Sequence, residues 1–339
     1  PSGNKMSLHC STKYATALLL GTIAAAAAPN PNILFIAVDD LRPSIGCYGD
    51  EVAVTPNLDR LAKRGVRFGQ AHCQVAVCNP SRASLMTGLR PDTLGVWTLP
   101  IHFREAKPEA VTLPQWLRKH GYTAVSHGKI YHNPTPDPQS WSEPIRRVHA
   151  QQGYPRSVAA QIRAAQAKLP SQDWRKNNLR GPGSFATNVD ENKLVDGVNT
   201  SLTIGDLRRL GKMKQPFFIA MGFIRPHLPW IAPKKYWDLY DPKKLPVITD
   251  GKVNANTPPY ALSNSYELTH YVDLIDFPKP WDKRRIPEEQ ARRLMHAYYA
   301  SVSFVDAQIG RILAALDEEG LTDNTIIVLW SDHGWKLGE

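Results

Sequence analysis

The chain has 339 residues and a formal net charge of +10, with 42% hydrophobic and 21% charged residues. These proportions exclude a disordered, collagenous or coiled-coil chain and leave room for one large α/β domain or two ordinary ones. The basic balance suits anionic partners or simply a solvated basic surface; Lys and Arg are scattered without a nucleic-acid-binding motif, so no nucleic acid is expected.

In chain order, residues 1–29 read as a secretory signal with upstream read-through. Met6 is the expected start, Lys13 charges the segment after it, and 15–27 is apolar and small-residued before Pro29. That run is too short for a stable membrane span, so an exported protein, periplasmic or extracellular, is expected. Residues 32–38 form a largely apolar, branched run, the pattern of a buried parallel strand. It ends in Asp39-Asp40, at the strand edge where open α/β sheets place ligands. Thr55-Pro56 opens a helix with Thr as N-cap, Leu58, Leu61 and Ala62 as its apolar stripe and Gly65 as its stop. Residues 66–68 start a further strand. A helix over 81–87 begins just after Cys78 and ends at Gly88, and another over 113–120 is closed by Gly121. A strand over 122–125 leads into His127-Gly128-Lys129.

Residues 133–190 are polar and read as a loop-rich insertion carrying substrate contacts. A helix around 201–210 precedes a strong strand at 216–221. Residues 241–283 form Pro-rich loop, 287–319 a long helical stretch, and 325–330 a final apolar strand running into Asp332. This alternation implies an α/β fold, a mostly parallel sheet with helices on both faces. Asp39, Asp40, His227 and Asp332 then share one sheet edge as a single site.

Four cysteines, Cys10, Cys47, Cys73 and Cys78, are too few for a disulfide scaffold. Removal of Cys10 with the leader leaves three, one of them without an intramolecular partner. An isolated Asp pair is usually a solvated turn, and an isolated Cys a small buried apolar residue. Carboxylates converging from two strand ends repel unless a hard divalent ion, Ca²⁺ or Mg²⁺, sits between them.

The block Cys78-Asn79-Pro80-Ser81-Arg82 followed by Leu85-Met86-Thr87-Gly88 resembles the signature of formylglycine-dependent sulfatases. Val38 to Pro43, Gly46-Cys47-Tyr48-Gly49, Arg90-Pro91-Asp92-Thr93, Gly128-Lys129 with His132, Arg225-Pro226-His227, Ala300 to Ser303 and Ser331 to Trp335 resemble the iduronate-2-sulfatase-like members. The resemblance implies an alkaline-phosphatase-like α/β sandwich over 30–339, incomplete at its C-terminus because that family continues with a smaller domain and a further sulfate-binding lysine; Lys336 is not assigned that role. It implies that a separate formylglycine-generating enzyme oxidises Cys78 to Cα-formylglycine. It implies one Ca²⁺ held by Asp39, Asp40, the modified Cys78, Asp332 and His333, the imidazole being an unusual calcium ligand.

The implied chemistry is covalent. One hydroxyl of the hydrated aldehyde attacks sulfur and expels the sugar alcohol; the second then loses its proton, the aldehyde reforms and sulfate leaves. Arg82 lies one helical turn from residue 78 and steadies the charge. Lys129, His132 and His227 resemble the sulfate-binding and proton-transfer groups, His227 protonating the leaving oxygen. His72, His120 and His127 read as polar surface. The expected substrate is a sulfated carbohydrate, with a uronate 2-sulfate indicated by the iduronate-type blocks. A phosphodiesterase or phosphonate hydrolase of the same superfamily, and an inactive sugar-binding relative, remain as alternatives.

Overall fold

The structure, a computed structural model, describes residues 30–247, 256–258, 261, 266–278 and 286–338. The leader expected over 1–29 lies outside the described residues. The elements run β1 (Asn32–Val38), α1 (Pro56–Arg64), α2 (Cys78–Thr87), α3 (Pro91–Leu94), α4 (Phe103–Ala106), α5 (Leu113–Lys119), β2 (Thr123–Gly128), α6 (Val158–Lys168), β3 (Ser184–Thr187), α7 (Val195–Leu210), β4 (Phe217–Phe223), β5 (Trp230–Pro233), α8 (Lys234–Trp237), α9 (Glu288–Glu318) and β6 (Thr325–Ser331), with short 3-10 turns between them. Among these no helix is long and apolar enough to cross a membrane.

The main sheet is wholly parallel, in the order β2-β4-β1-β6. β1 and β4 are apolar on both faces because helices cover both. Leu34, Ile36 and Val38 join Ile219, Met221 and Phe223 in a core with Leu58, Leu207, Tyr298 and Val302, while Phe35, Ala37, Phe218 and Ala220 pack on the opposite side against Ala83, Met86 and Leu94. The register is the feature that matters for function. Val38 is level with both Phe223 and Ser331, and Gly128 with Gly222. Residues 39, 129, 224 and 332 therefore leave the sheet at one edge.

Two expectations need correction and one gains detail. Residues 66–68 are not a strand: Val66 and Phe68 are 82% and 71% exposed in irregular chain, since three residues without a pairing neighbour cannot hold a ladder. The 133–190 stretch is loop-rich as expected but also carries regular structure. It holds α6, whose Ala- and Gln-rich sequence favours helix, and β3, which pairs in parallel with β5 to form a second small sheet. Thr55 precedes α1 but does not cap it. Its hydroxyl accepts the Gly46 N–H at 2.9 Å and donates to Asp59. The cap comes from α9, where Asp306 accepts the N–H groups of Asn57 and Leu58 at 3.1 and 2.8 Å.

Candidate active site

At the end of β1, Asp39 donates its N–H to the Phe223 carbonyl at 3.2 Å, and Asp40 turns the chain with φ 61°, a left-handed conformation that Asp tolerates better than most residues. The turn is pinned from α9: Tyr298 Oη donates to the Asp40 carbonyl at 2.7 Å and accepts the Arg42 N–H at 3.0 Å. Both carboxylates are fully buried.

Helix α2 begins at Cys78 itself and buries almost every residue of its first two turns. Asn79 Nδ2 donates to the carbonyls of Thr98 and Ile101 at 2.9 and 2.7 Å, and Ser81 Oγ to the Asp332 carbonyl at 2.5 Å. Arg82, fully buried, joins three strand ends. Its Nε donates to Asp332 Oδ2 at 2.8 Å, Nη2 to Asp39 Oδ1 at 3.0 Å, and Nη1 to the carbonyls of Lys129 and Ile130 beyond β2. A planar fork meets all these acceptors at once, which an ammonium cannot do.

Lys129 Nζ reaches Asp39 Oδ2 and lies 3.6 Å from Cys78 Sγ. Two glycines place it. Gly128 has φ 70°, and a Cβ on its sheet partner Gly222 would stand 2.0 Å from the Lys129 carbonyl oxygen. The thiol of Cys78 is 3.5 Å from Asp39 Oδ1 and 3.1 Å from His333 Nε2. Beyond β4, Asp196 accepts the N–H groups of Ile224 and Arg225 at 2.8 and 3.1 Å, which sets up the turn to His227. His227 Nδ1 faces the Leu228 carbonyl at 2.7 Å; its Nε2 is 3.9 Å from Asp40 Oδ2 and 3.6 Å from Glu267 Oε1.

Asp39, Asp40, Cys78 and His333 each offer one donor atom, and these atoms lie within 4.8 Å of one another. Both carboxylate oxygens of Asp40 are fully buried, and the group that comes nearest is the His333 ring, whose Nδ1 stands 3.0 Å from Oδ1. Asp39 and Asp40 bring oxygen to this cluster, Cys78 sulfur and His333 nitrogen; the two buried carboxylates fit a hard cation, which would offset the repulsion between their charges. Asp332 stands differently. Its carboxylate already accepts from Arg82 and from the N–H groups of Asp40 and His333.

The sulfatase family model matches residues 31–339. The chain belongs to the sulfatase family. It is 37% identical over 317 residues to iduronate 2-sulfatase of Mus musculus, covering 91% of this chain and 55% of that protein, and 36% identical over 329 residues to a sulfatase of Formosa agariphila, covering 91% and 60%. The chain thus spans rather more than half the length of these curated relatives. A solved phosphonate monoester hydrolase of Agrobacterium radiobacter superposes with TM-score 0.63 at 22% identity, over 91% of this chain and 64% of that one. The fold is the alkaline-phosphatase-like α/β sandwich expected from the motifs.

Electrostatics divides the titratable groups of this sulfatase-family site. Burial opposes ionisation of Asp39, but Arg82, His227 and Lys129 outweigh it and hold its carboxyl well below the usual range. Burial likewise opposes the Lys129 charge, and Asp39 and Cys78 reverse it, raising the Lys129 pKa. His227 is pushed up to about 10: burial disfavours its proton, yet Asp40, a bond to Cys78, Asp39 and Glu267 retain it. His333 rises to about 12, Asp40 and Cys78 again overcoming burial. His132 goes the other way, to about 4, through burial and the Lys129 charge, and its Nδ1 is buried without a partner.

The residues singled out from the sequence gather at this edge, His132 being tied to it through the charges of Lys129, Asp39, Arg82 and His227. His127 is not surface: it is buried, with Nε2 2.8 Å from Asp206. His72 and His120 are exposed as expected, and Cys47, Cys73 and Cys78 are free thiols. Sequence reasoning missed Glu267, Tyr298 and Asp196. Only Asp196 left a signal, an acidic residue at the start of a helix ahead of the β4 strand. A separate cleft of about 810 Å³ between α6 and residues 272–276, lined by Val158, Lys168, Phe185 and Arg293 among others, contains none of the site residues.

Proposed function

We propose that residues 30–339 are the catalytic region of an exported sulfuric ester hydrolase acting on a sulfated carbohydrate. The observation that carries this reading is the position of the Cys78 thiol. It sits at the start of a buried helix, within reach of Asp39, Lys129 and His333 and in one cluster with the buried Asp40. Sγ stands where the oxygens of a formylglycine made by a maturing enzyme would stand; that group, hydrated, would supply the nucleophile and its own release step. Asp39, Asp40 and Asp332, with His333 once the ion has displaced its proton, would hold one Ca²⁺, which would supply charge compensation for a bound sulfate.

The chain's own groups divide the remaining work. The Lys129 ammonium, aimed at Cys78 Sγ, binds sulfate oxygens next to the attacking position. His227, which keeps its proton to about pH 10, donates it to the departing sugar oxygen, and neutral His132 accepts one during release. Arg82 has no free geometry of its own; it fixes Asp39, Asp332 and the Lys129 backbone, and so positions the groups that act. Relatives named iduronate 2-sulfatase support a uronate 2-sulfate as the substrate class.

The test is mass spectrometry of the Cys78 peptide from protein co-produced with the maturing enzyme, alongside turnover of 4-nitrophenyl sulfate and the matching phosphate and phosphonate esters. An aldehyde-reactive peptide, preference for sulfate, and loss of turnover in a folded Cys78→Ala variant are expected. An unmodified thiol in active protein, or a strong preference for the phosphorus esters, overturns the reading.

A further inference from the structure

Two stretches that look like loop in the sequence meet beside His227. Trp174 and Tyr266 stack face to face, ring centroids 4.9 Å apart and planes 16° from parallel, and His270 sets its edge against both at 4.5 and 4.9 Å. Trp174 is 46% and Tyr266 54% exposed. Scattered exposed aromatics are ordinary and decide nothing. Here the backbone beneath them is tied. Arg180 N–H donates to the His270 carbonyl at 2.7 Å, Val272 N–H to the Arg180 carbonyl at 3.2 Å, and Arg175, clamped on Asp173, donates to the Ile275 carbonyl at 2.8 Å. The stack is thus held in place before any ligand arrives, which lowers the ordering cost of binding.

Charge lies between the stack and the reaction site. Glu267, adjacent in sequence to Tyr266, places Oε1 3.6 Å from His227 Nε2, and Arg180 Nη1 lies 3.9 Å from the same oxygen and 3.3 Å from Tyr271 Oη. The Arg180 side chain is 55% exposed, so its guanidinium also faces solvent. A flat aromatic surface packs against the C–H face of a sugar ring, and a guanidinium forks to a carboxylate or sulfate.

We infer that Trp174, Tyr266 and Arg180 form a subsite for an acidic sugar ring next to the one that carries the cleaved sulfate, the ring face resting on the aromatic stack and its acid group on Arg180. The inference deepens the sulfatase reading above and rests on it for the direction of the chain. None of the three residues belongs to the reacting cluster, so the subsite governs which saccharide is held and not the cleavage itself.

The experiment uses the matured full chain and its Trp174→Ala, Tyr266→Ala and Arg180→Ala variants, each checked by thermal melting. One arm measures binding of a desulfated uronate-containing tetrasaccharide by calorimetry, needing no turnover. The other compares a sulfated uronate-containing tetrasaccharide with 4-nitrophenyl sulfate. Expected are a roughly tenfold weaker tetrasaccharide affinity and a similar rise in its KM for each variant, with kcat/KM on the aryl sulfate within about twofold of wild type. A carboxyl-reduced tetrasaccharide should lose nothing further in Arg180→Ala. Unchanged tetrasaccharide binding, absence of binding by the wild type, or equal losses on both sulfate esters overturns the subsite. If no ester is hydrolysed but binding still falls in the variants, the hydrolase reading fails and the subsite stands.

Discussion

Arg82 shows how much one side chain can be asked to hold. It spans Asp332, Asp39 and two carbonyls from full burial, so Arg82→Lys keeps the charge but cannot keep the fork. Removing one partner of a buried ion pair costs about 3–5 kcal/mol, and Arg82→Ala should approach that loss in urea unfolding, with Arg82→Lys intermediate. The two histidines predict opposite pH dependences. His227 rises from 6.5 to about 10 on folding, so its contribution is complete below pH 6.5 and is lost as pH climbs through 10. His132 falls from 6.5 to about 4, so the unfolded chain takes up a proton first and stability drops as pH falls from 6.5 toward 4. Unfolding free energies measured in chelator across pH 4.5–7.5 should therefore show a shallower acid-side fall in His132→Leu than in wild type; equal slopes would contradict the assignment.

At the scale of elements, the glycines separate placement from propensity. Gly222 lies where β2 and β4 close on the Lys129 backbone, and its alanine variant has no space at 2.0 Å from a carbonyl oxygen. Gly222→Ala should destabilise by about 1–3 kcal/mol and weaken sulfate binding by moving Lys129, read by unfolding and by inhibition with inorganic sulfate. Gly205, exposed on α7 with nothing within 4 Å of a Cβ, should behave oppositely: Gly205→Ala gains about 0.5–1 kcal/mol from helix propensity alone and leaves sulfate binding unchanged. The elements themselves were legible where a long period or an apolar run marked them, as in β1, β4 and α9. They were not legible where the cause lay elsewhere in the chain. The cap of α1 belongs to Asp306 on α9, and β3 and β5 are four-residue strands that exist because they pair with each other.

For the whole molecule, a cation that binds only the folded cluster should stabilise the protein by mass action. Ca²⁺ at about a hundredfold excess over its Kd adds about 2.7 kcal/mol, visible as a higher melting temperature that chelator reverses. Asp40→Asn, which removes a buried carboxylate of the cluster, should abolish most of that increment; an unchanged calcium response in the variant would remove Asp40 from the ion site.

The sequence by itself determined the family: the Cys78 block, the strand-end Asp39-Asp40 pair and the Arg225-Pro226-His227 segment carry their meaning in residue type and short spacing, which local patterns preserve. It also determined the parallel sheet, because strands buried on both faces must be apolar throughout. Tertiary structure alone decided how the groups share their charges. Asp332 and Asp40 read alike as strand-end carboxylates, yet one accepts from Arg82 and two backbone N–H groups while the other is met at 3.0 Å by the His333 ring. Glu267 beside His227, and Trp174 against Tyr266, join residues from distant loops. Such pairings depend on register and burial across the fold, and a hydrogen bond between residues far apart in the chain leaves no periodic trace in either segment.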